Sequence, residues 1–203
     1  NRQCGQLGPK DLEGRRVGIR SVTVTTVTWV RGMLVNEFDV DLDRVKWVTF
    51  EDAHVAGVSD PPSAQRAEAG KTLVGMLSDG ELDAAIVGAP VDHPDIVPLF
   101  ADPAAAATDW HKAHGAIQVN HMVVAKNEAL DAHPDAVREI YRQLAASKAA
   151  AGLPKAGEIN LNPFGLEANR RNLQLAIDCV HAQGLIDRRY AVDELFDDVT
   201  AAL

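Results

Sequence analysis

The feature that most constrains the fold is an alternation of short apolar segments with segments of helical periodicity in the first half of the chain. Residues 16–20 predict a strand, and after them apolar residues recur at spacings of three and four, as on a buried helix face. A second strand is predicted over 45–50, a helix over 72–78 and a third strand over 82–88. Because this alternation is typical of parallel sheets covered by helices, the predicted fold class is α/β.

The second half is predicted to be mostly helical. Prolines interrupt the chain after the third strand, at positions 90, 94, 98 and 103. We predict helices over 103–114, 134–150, 166–183 and 192–203, and one further strand over 116–125. The stretch 152–165 contains prolines and glycines and is predicted to be a linker or a ligand-facing loop.

Charge and composition exclude several functional classes. The 203 residues carry a formal net charge of -9, and the pI is about 5.2, so we expect no nucleic acid partner. No apolar run approaches the roughly 20 residues that span a bilayer, so no membrane insertion is expected. Cys4 and Cys179 are too few for a disulfide framework, which favours a reducing compartment and predicts a cytoplasmic location.

Several short motifs follow one another along the chain. They are residues 14–20 (GRRVGIR), 25–32 (TTVTWVRG), 47–54 (WVTFEDAH), 80–86 (GELDAAI), 120–124 (NHMVV) and 162–171 (NPFGLEANRR). In this order they resemble the 4,5-dihydroxyphthalate decarboxylase family over nearly the whole chain.

The resemblance implies a type II periplasmic-binding-protein-like fold, in which two α/β lobes close over a ligand. It also implies that the first lobe begins upstream of Asn1, so that the N-terminal part of this lobe is absent from the chain. We therefore expect residues 1–9 to end a first-lobe segment and residues 10–120 to form the second lobe. Residues 121–203 would form the return crossover and the C-terminal helical part of the first lobe.

Three functions remain open on this fold, because one architecture hosts many activities. The first is a carboxy-lyase acting on a hydroxylated aromatic dicarboxylate such as 4,5-dihydroxyphthalate. The second is a non-catalytic substrate-binding protein of an ABC importer for a small anionic aromatic or heterocyclic solute. The third is a ligand sensor built on the same lobes.

Decarboxylation of a para-hydroxylated benzoate sets a clear chemical requirement. The ring carbon that bears the carboxylate must be protonated by a general acid, and the opposite hydroxyl must hold the displaced charge. Cations must also bind the second carboxylate. This route requires no metal and no organic cofactor, so we expect none.

An anion site is expected between the first strand and the first helix. Thr23, Thr25 or Thr26 can cap this helix and direct backbone N–H groups at an anion. Arg20 at the strand end and Arg31 within the helix can add a bidentate cation. The alternative is that the threonines only cap the helix and Arg31 is solvated; the resemblance favours a substrate role for Arg20, Thr25 and Thr26.

Two histidines are candidates for proton transfer, since imidazole titrates near neutral pH. His121 follows Asn120, a candidate substrate contact, on the predicted strand 116–125, and the alternative is a hydrogen-bonded core histidine. His54 lies just after a strand end, where ligands collect in α/β sheets, and Glu51 or Asp52 could orient its imidazole.

Arg170 is a further candidate for binding the second carboxylate, although adjacent basic residues on a helix usually form its polar face. The partner we expect is a small anionic aromatic substrate. Assembly with a second copy of the chain into a homo-oligomer is left open.

Overall fold

The computed structural model describes residues 1–203, and these divide into two compact units. The first unit comprises Asn1–Trp110 and Cys179–Asp187, and the second comprises His111–Asp178 and Arg188–Leu203. The division predicted from the sequence, at residues 9 and 120, stays a prediction. None of the helices combines the length and apolarity that crossing a membrane requires.

Helices and strands alternate in the first half of the chain, and helices fill the second. In chain order they are β1 (Arg16–Ile19), α1 (Thr25–Phe38), β2 (Lys46–Thr49), β3 (Ala64–Arg66), α2 (Leu73–Ser78), β4 (Ala84–Ala85), α3 (Pro103–His114), α4 (Asn127–Ala132), α5 (Pro134–Ala150), α6 (Leu166–Ala182) and α7 (Asp198–Ala201). Short 3-10 helices lie at Arg2–Cys4, Pro9–Leu12, Leu42–Arg44 and Val192–Leu195. The predicted α/β class is confirmed.

All four strands belong to one parallel sheet in the first unit, in the order β3-β2-β1-β4. Ile19 of β1 is paired in register with Thr49 of β2, and Thr49 is paired with Arg66 of β3. The carboxyl ends of β1, β2 and β3 therefore meet at one edge of the sheet.

The core of the first unit lies where this sheet meets α1. Ile19 and Trp47 are almost fully buried, and Val27 and Leu34 of α1 belong to the same apolar cluster. Each large apolar side chain buried in this way contributes roughly 1.5–3 kcal/mol. This packing holds the sheet edge and the start of α1 in fixed positions.

A close approach at Gly32 joins α1 to the end of α6. A Cβ atom at Gly32 would lie 2.4 Å from the Sγ atom of Cys179, and this thiol is buried against the Thr28 carbonyl. We expect Gly32→Ala to lower the free energy of unfolding by about 1–3 kcal/mol, because overpacking outweighs the better helix propensity of alanine.

Urea unfolding of Gly32→Ala and of the double variant Gly32→Ala/Cys179→Ala checks this prediction. Cys179→Ala, combined with Gly32→Ala, should recover most of the loss because it vacates the space that the new methyl group needs. A Gly32→Ala variant as stable as the wild type would mean that this contact is loose.

The second unit contains helices and no strand. The Asn172 side chain of α6 accepts a hydrogen bond from the Ile117 N–H at 2.9 Å, and the rings of Tyr141 and Phe164 pack edge to face at 5.4 Å. Residues 116–125 are non-regular, so the predicted strand is wrong. Val123 and Val124 have the β-branched side chains typical of strands, but the second unit offers them no strand to pair with, and they are 81% and 85% exposed.

The end of the chain also differs from the prediction. Residues 192–203 do not form one amphipathic helix, since Val192–Leu195 is a 3-10 helix and only Asp198–Ala201 is α-helical. The Asp197 side chain caps α7 by accepting from the Thr200 N–H at 2.7 Å. An aspartate in a capping position favours a new helix start over a continuous helix.

Candidate functional site

A group of polar side chains lies where β1 and β2 end. The backbone N–H groups of Phe50 and Glu51 both donate to the Arg20 carbonyl, at 3.0 and 2.8 Å, and tie the two strand ends together. β1 and β2 are parallel and in register, and Arg20 and Glu51 follow the ends of these two strands. The sheet therefore brings the two residues into contact. This edge is where α/β sheets commonly bind ligands.

Arg20, Glu51 and His54 form a connected ion cluster at this edge. Arg20 donates through Nε and Nη2 to the two oxygens of Glu51, each at 2.8 Å, which is the strong bidentate geometry of an arginine–carboxylate pair. The Nε2 atom of His54 lies 3.0 Å from the Oε2 atom of Glu51. Of the two acidic residues that could orient His54, Glu51 is therefore the one in contact.

Thr23 fixes the loop that carries His54. Its Oγ1 accepts the His54 backbone N–H at 2.8 Å and lies 3.2 Å from the Ser21 hydroxyl. Thr23 therefore does not cap α1, nor do Thr25 and Thr26, because the N-cap residue is Val24 and no side chain caps this end. Thr25 and Thr26 form the first turn of α1, where backbone N–H groups lack partners within the helix.

The ion cluster shifts the titration of Glu51. Hydrogen bonds from Arg20, with a further contribution from His54, lower the pKa of Glu51 from its ordinary value of 4.5, and partial burial opposes them. A carboxyl whose pKa is lowered by folding stabilises the folded state above its unfolded pKa and loses this contribution as the pH falls through its folded value.

We therefore expect Glu51→Gln to be less stable than the wild type at pH 7, by no more than about 1 kcal/mol because the pair is partly exposed. The difference should shrink as the pH falls below 4.5, the ordinary pKa of the carboxyl. Urea unfolding of both proteins at pH 7 and at about pH 3 measures it. An equal difference at both pH values would show that the charge of Glu51 is not responsible.

Arg31 lies away from this cluster. Its side chain is buried, with 6% of the residue exposed, and its guanidinium stands 5.3 Å from the centre of the Trp47 ring. Burial lowers the pKa of Arg31, and its Nε atom has no hydrogen-bond partner. The structure thus places Arg31 in the core and not beside Arg20, and the alternative of a solvated Arg31 is also excluded.

Three predicted site residues belong to the second unit. Asn120 and His121 lie in the exposed non-regular segment that precedes α4. Arg170 on α6 is paired with Glu167 at 2.6 Å and with Asp193 at 2.9 Å. Their roles in substrate binding or proton transfer stay predictions.

Arg66 is a residue at the same sheet edge that the sequence analysis did not select. It ends β3 and pairs with Asp52, and its Nη2 atom also lies 3.9 Å from the carboxylate of Asp60. The Oδ2 atom of Asp60 accepts a hydrogen bond from Thr49 at 2.7 Å. Arg66 was missed because β3 is short and largely exposed, and therefore has no apolar pattern from which a strand can be predicted.

A cavity of about 970 Å³ lies elsewhere in the first unit, along the free edge of β4. Its lining is mainly apolar, and none of the predicted site residues contributes to it. The carboxylate of Asp83, which lines it, is already engaged by the Arg16 N–H and by Arg15. The ion cluster is thus better equipped than this cavity to bind an anion and move a proton.

No three His, Cys, Asp or Glu side chains of the chain are grouped so that they could hold a metal ion. The fold and the ion cluster together define an α/β protein with a charged candidate site at the carboxyl edge of a parallel sheet.

This α/β chain is similar to two curated proteins that are both named 4,5-dihydroxyphthalate decarboxylase. The protein from Comamonas testosteroni is 30% identical over 159 residues, which cover 72% of this chain and 48% of that protein. The protein from Pseudomonas putida is 34% identical over 115 residues, which cover 51% of this chain and 45% of that protein. These similarities confirm the resemblance to this family that the motifs predict.

The chain spans about half the length of the curated relatives it matches. No protein-family model matches the chain.

Proposed function

We propose that the protein is a carboxy-lyase that removes carbon dioxide from a hydroxylated aromatic dicarboxylate such as 4,5-dihydroxyphthalate. The observation that carries this proposal is the contact between Arg20, Glu51 and His54 at the carboxyl edge of the sheet. The similarity to two proteins named for this reaction supports it.

Arg20 binds the carboxylate that is removed. A guanidinium group carries five N–H donors, and Glu51 engages the side that consists of Nε and Nη2. The end of the guanidinium that includes Nη1 remains available for a second bidentate contact. Glu51 therefore orients Arg20 without occupying its whole donor set. The N–H groups of the first turn of α1, at Thr25 and Thr26, add donors for the same anion.

His54 protonates the ring. Its Nε2 atom pairs with Glu51, which leaves Nδ1 to face the substrate as the proton donor. His121 is the second candidate for this role, and Asn120 and Arg170 are candidate substrate contacts in the second unit.

The reaction consumes the substrate and one proton, and it requires no oxidant or reductant. His54 transfers a proton to the ring carbon that bears the carboxylate, while the hydroxyl oxygen para to it supplies electron density and a quinoid intermediate forms. The bond between the ring and the carboxylate then breaks and carbon dioxide leaves. The electron pair of this bond stays with the ring and restores its aromaticity. The product is 3,4-dihydroxybenzoate.

Incubation of the protein with 4,5-dihydroxyphthalate tests this function. We expect carbon dioxide and 3,4-dihydroxybenzoate to appear in equal amounts, at a rate proportional to the protein concentration. Stoichiometric binding of the substrate without turnover would refute the lyase and favour a substrate-binding protein of an importer.

We further propose that the complete fold is of the two-lobed periplasmic-binding-protein type and that the protein acts in the cytoplasm without a cofactor. The parallel sheet of the first unit is compatible with one such lobe. Small-angle scattering should show a smaller radius of gyration when phthalate is bound, since closure of two lobes compacts a protein. Fractionation of cells that express the natural gene tests the location.

A further inference from the structure

Two arginines flank the end of β2. Arg20 follows β1 and Arg66 ends β3, and both strands pair with β2 in a register that aligns Ile19, Thr49 and Arg66. Because neighbouring strands lie about 4.8 Å apart, the backbones at Ile19 and Arg66 are separated by about 10 Å. Arg20 and Arg66 contact the consecutive residues Glu51 and Asp52, whose Cα atoms lie about 3.8 Å apart, so both arginines can reach one small molecule over the end of β2.

Each of these arginines is paired with one of two consecutive acidic residues. Glu51 holds Arg20, and Asp52 holds Arg66. Both cations are thus bound to carboxylates that one short segment supplies. The loop after β2 therefore occupies the two cations in the way an ortho-dicarboxylate could.

The two acidic residues differ in how firmly they are held. Glu51 contacts both Arg20 and His54, whereas the Asp52 side chain is 99% exposed and contacts only Arg66. A solvent-exposed ion pair of this kind contributes little free energy, so that a ligand carboxylate can replace it at small cost. Asp60 would remain behind Arg66, fixed by the Thr49 hydroxyl.

We propose that Arg66 binds the second carboxylate of the substrate, in exchange for Asp52, and thereby selects adjacent dicarboxylates over monocarboxylates. This inference rests on the proposed function, since it assumes that Arg20 binds the first carboxylate. The exchange also answers a problem of charge. Three carboxylates, those of Glu51, Asp52 and Asp60, lie beside the two arginines, so displacing Asp52 from Arg66 reduces the repulsion that a dianion meets.

Isothermal titration with two unreactive probes tests the proposal. Phthalate carries two adjacent carboxylates and benzoate carries one, and neither has the hydroxyl group that decarboxylation requires. We expect the wild type to prefer phthalate. Arg66→Gln should weaken phthalate binding about tenfold or more and change benzoate binding little, as expected for the loss of one charge-assisted contact. Arg66→Lys should weaken phthalate less, because it keeps the charge.

Asp52→Asn distinguishes competition for Arg66 from a purely structural role of Asp52, because only competition predicts tighter binding in this variant. It removes the competing carboxylate and should tighten phthalate binding about two- to fivefold. Arg142→Gln is the matched control, because Arg142 is an exposed arginine of the second unit that is paired with Glu139. This control should leave the affinities for both probes unchanged.

Three results would overturn the proposal. The wild type could show no preference for phthalate, Arg66→Gln could lose affinity equally for phthalate and benzoate, or Asp52→Asn could bind phthalate more weakly. Turnover of 4,5-dihydroxyphthalate, measured separately, keeps the two proposals apart. Turnover with unaltered selectivity in Arg66→Gln would refute the role of Arg66 alone. A preference for phthalate that depends on Arg66, without any turnover, would support the role of Arg66 and refute the carboxy-lyase activity.

Discussion

Replacing His54 by alanine is expected to lower the kcat for decarboxylation about a hundredfold or more, because a positioned general acid contributes on that scale. Substrate binding should change little, since Arg20 keeps its bidentate pair with Glu51. The loop should also hold, because the contact to Thr23 uses the backbone N–H of His54 and not its side chain. Steady-state kinetics together with titration of phthalate separates the two effects.

His181→Ala is a suitable control for this variant. His181 is an exposed histidine near the end of α6, and it belongs to the same unit as His54. Its replacement should leave kcat unchanged. Turnover that survives in His54→Ala and is lost in His121→Ala would remove His54 from the mechanism and assign the proton to His121. Unaltered turnover in both variants would exclude both histidines.

The sheet and α1 could be predicted because the spacing of their apolar residues matches the residues that are buried. The apolar runs of β1 and β2 are buried, and α1 carries apolar residues at helical spacing. A contact of His54 with Glu51 or Asp52 could be predicted, since all three follow the end of β2, and the structure selects Glu51. The contact of Glu51 with Arg20 depends on the parallel pairing of β1 with β2, which the alternation of elements indicates.

Two of the predictions that the structure contradicts depend on surroundings that the local sequence does not describe. Residues 116–125 resemble a strand, but a strand forms only where another strand can pair with it, and the second unit has none. The charge of Arg31 alone predicts a side chain that binds a ligand or is solvated. Its spacing of four residues from Val27 and three from Leu34 places it on the buried face of α1, and this spacing is the signal that could have revealed its burial.

Arg66 shows a different limit. It lies on a three-residue strand whose exposed Gln65 and Arg66 give no apolar signal, so its position beside β2 follows only from the observed register. The pairing of Glu51 and Asp52 with two different arginines likewise depends on the side-chain directions after the end of β2. Such contacts between segments distant in the sequence are decided by tertiary structure, and local pattern does not contain them.

Replacing Trp47 by alanine is expected to lower the free energy of unfolding of the first unit by about 3–5 kcal/mol, the usual cost of truncating a large aromatic core residue. Trp47 is 1% exposed, and its indole N–H donates to the Leu42 carbonyl at 2.9 Å. The ring also supports the buried guanidinium of Arg31 at 5.3 Å. Urea unfolding followed by the fluorescence of Trp29 and Trp110 measures this loss, since both belong to the first unit.

The Arg31 contact can be isolated by a double-mutant cycle. Arg31→Met removes a buried charge whose Nε atom has no partner, and this change alone should cost little or even stabilise the protein. In the Trp47→Ala background the guanidinium has lost its aromatic neighbour, so that Arg31→Met should be more favourable by about 1 kcal/mol. Trp47→Phe keeps a ring beside Arg31 and should show a smaller coupling. Strictly additive effects would mean that the ring fills space without stabilising the charge, and a total loss below about 1 kcal/mol in Trp47→Ala would contradict its place at the centre of the core.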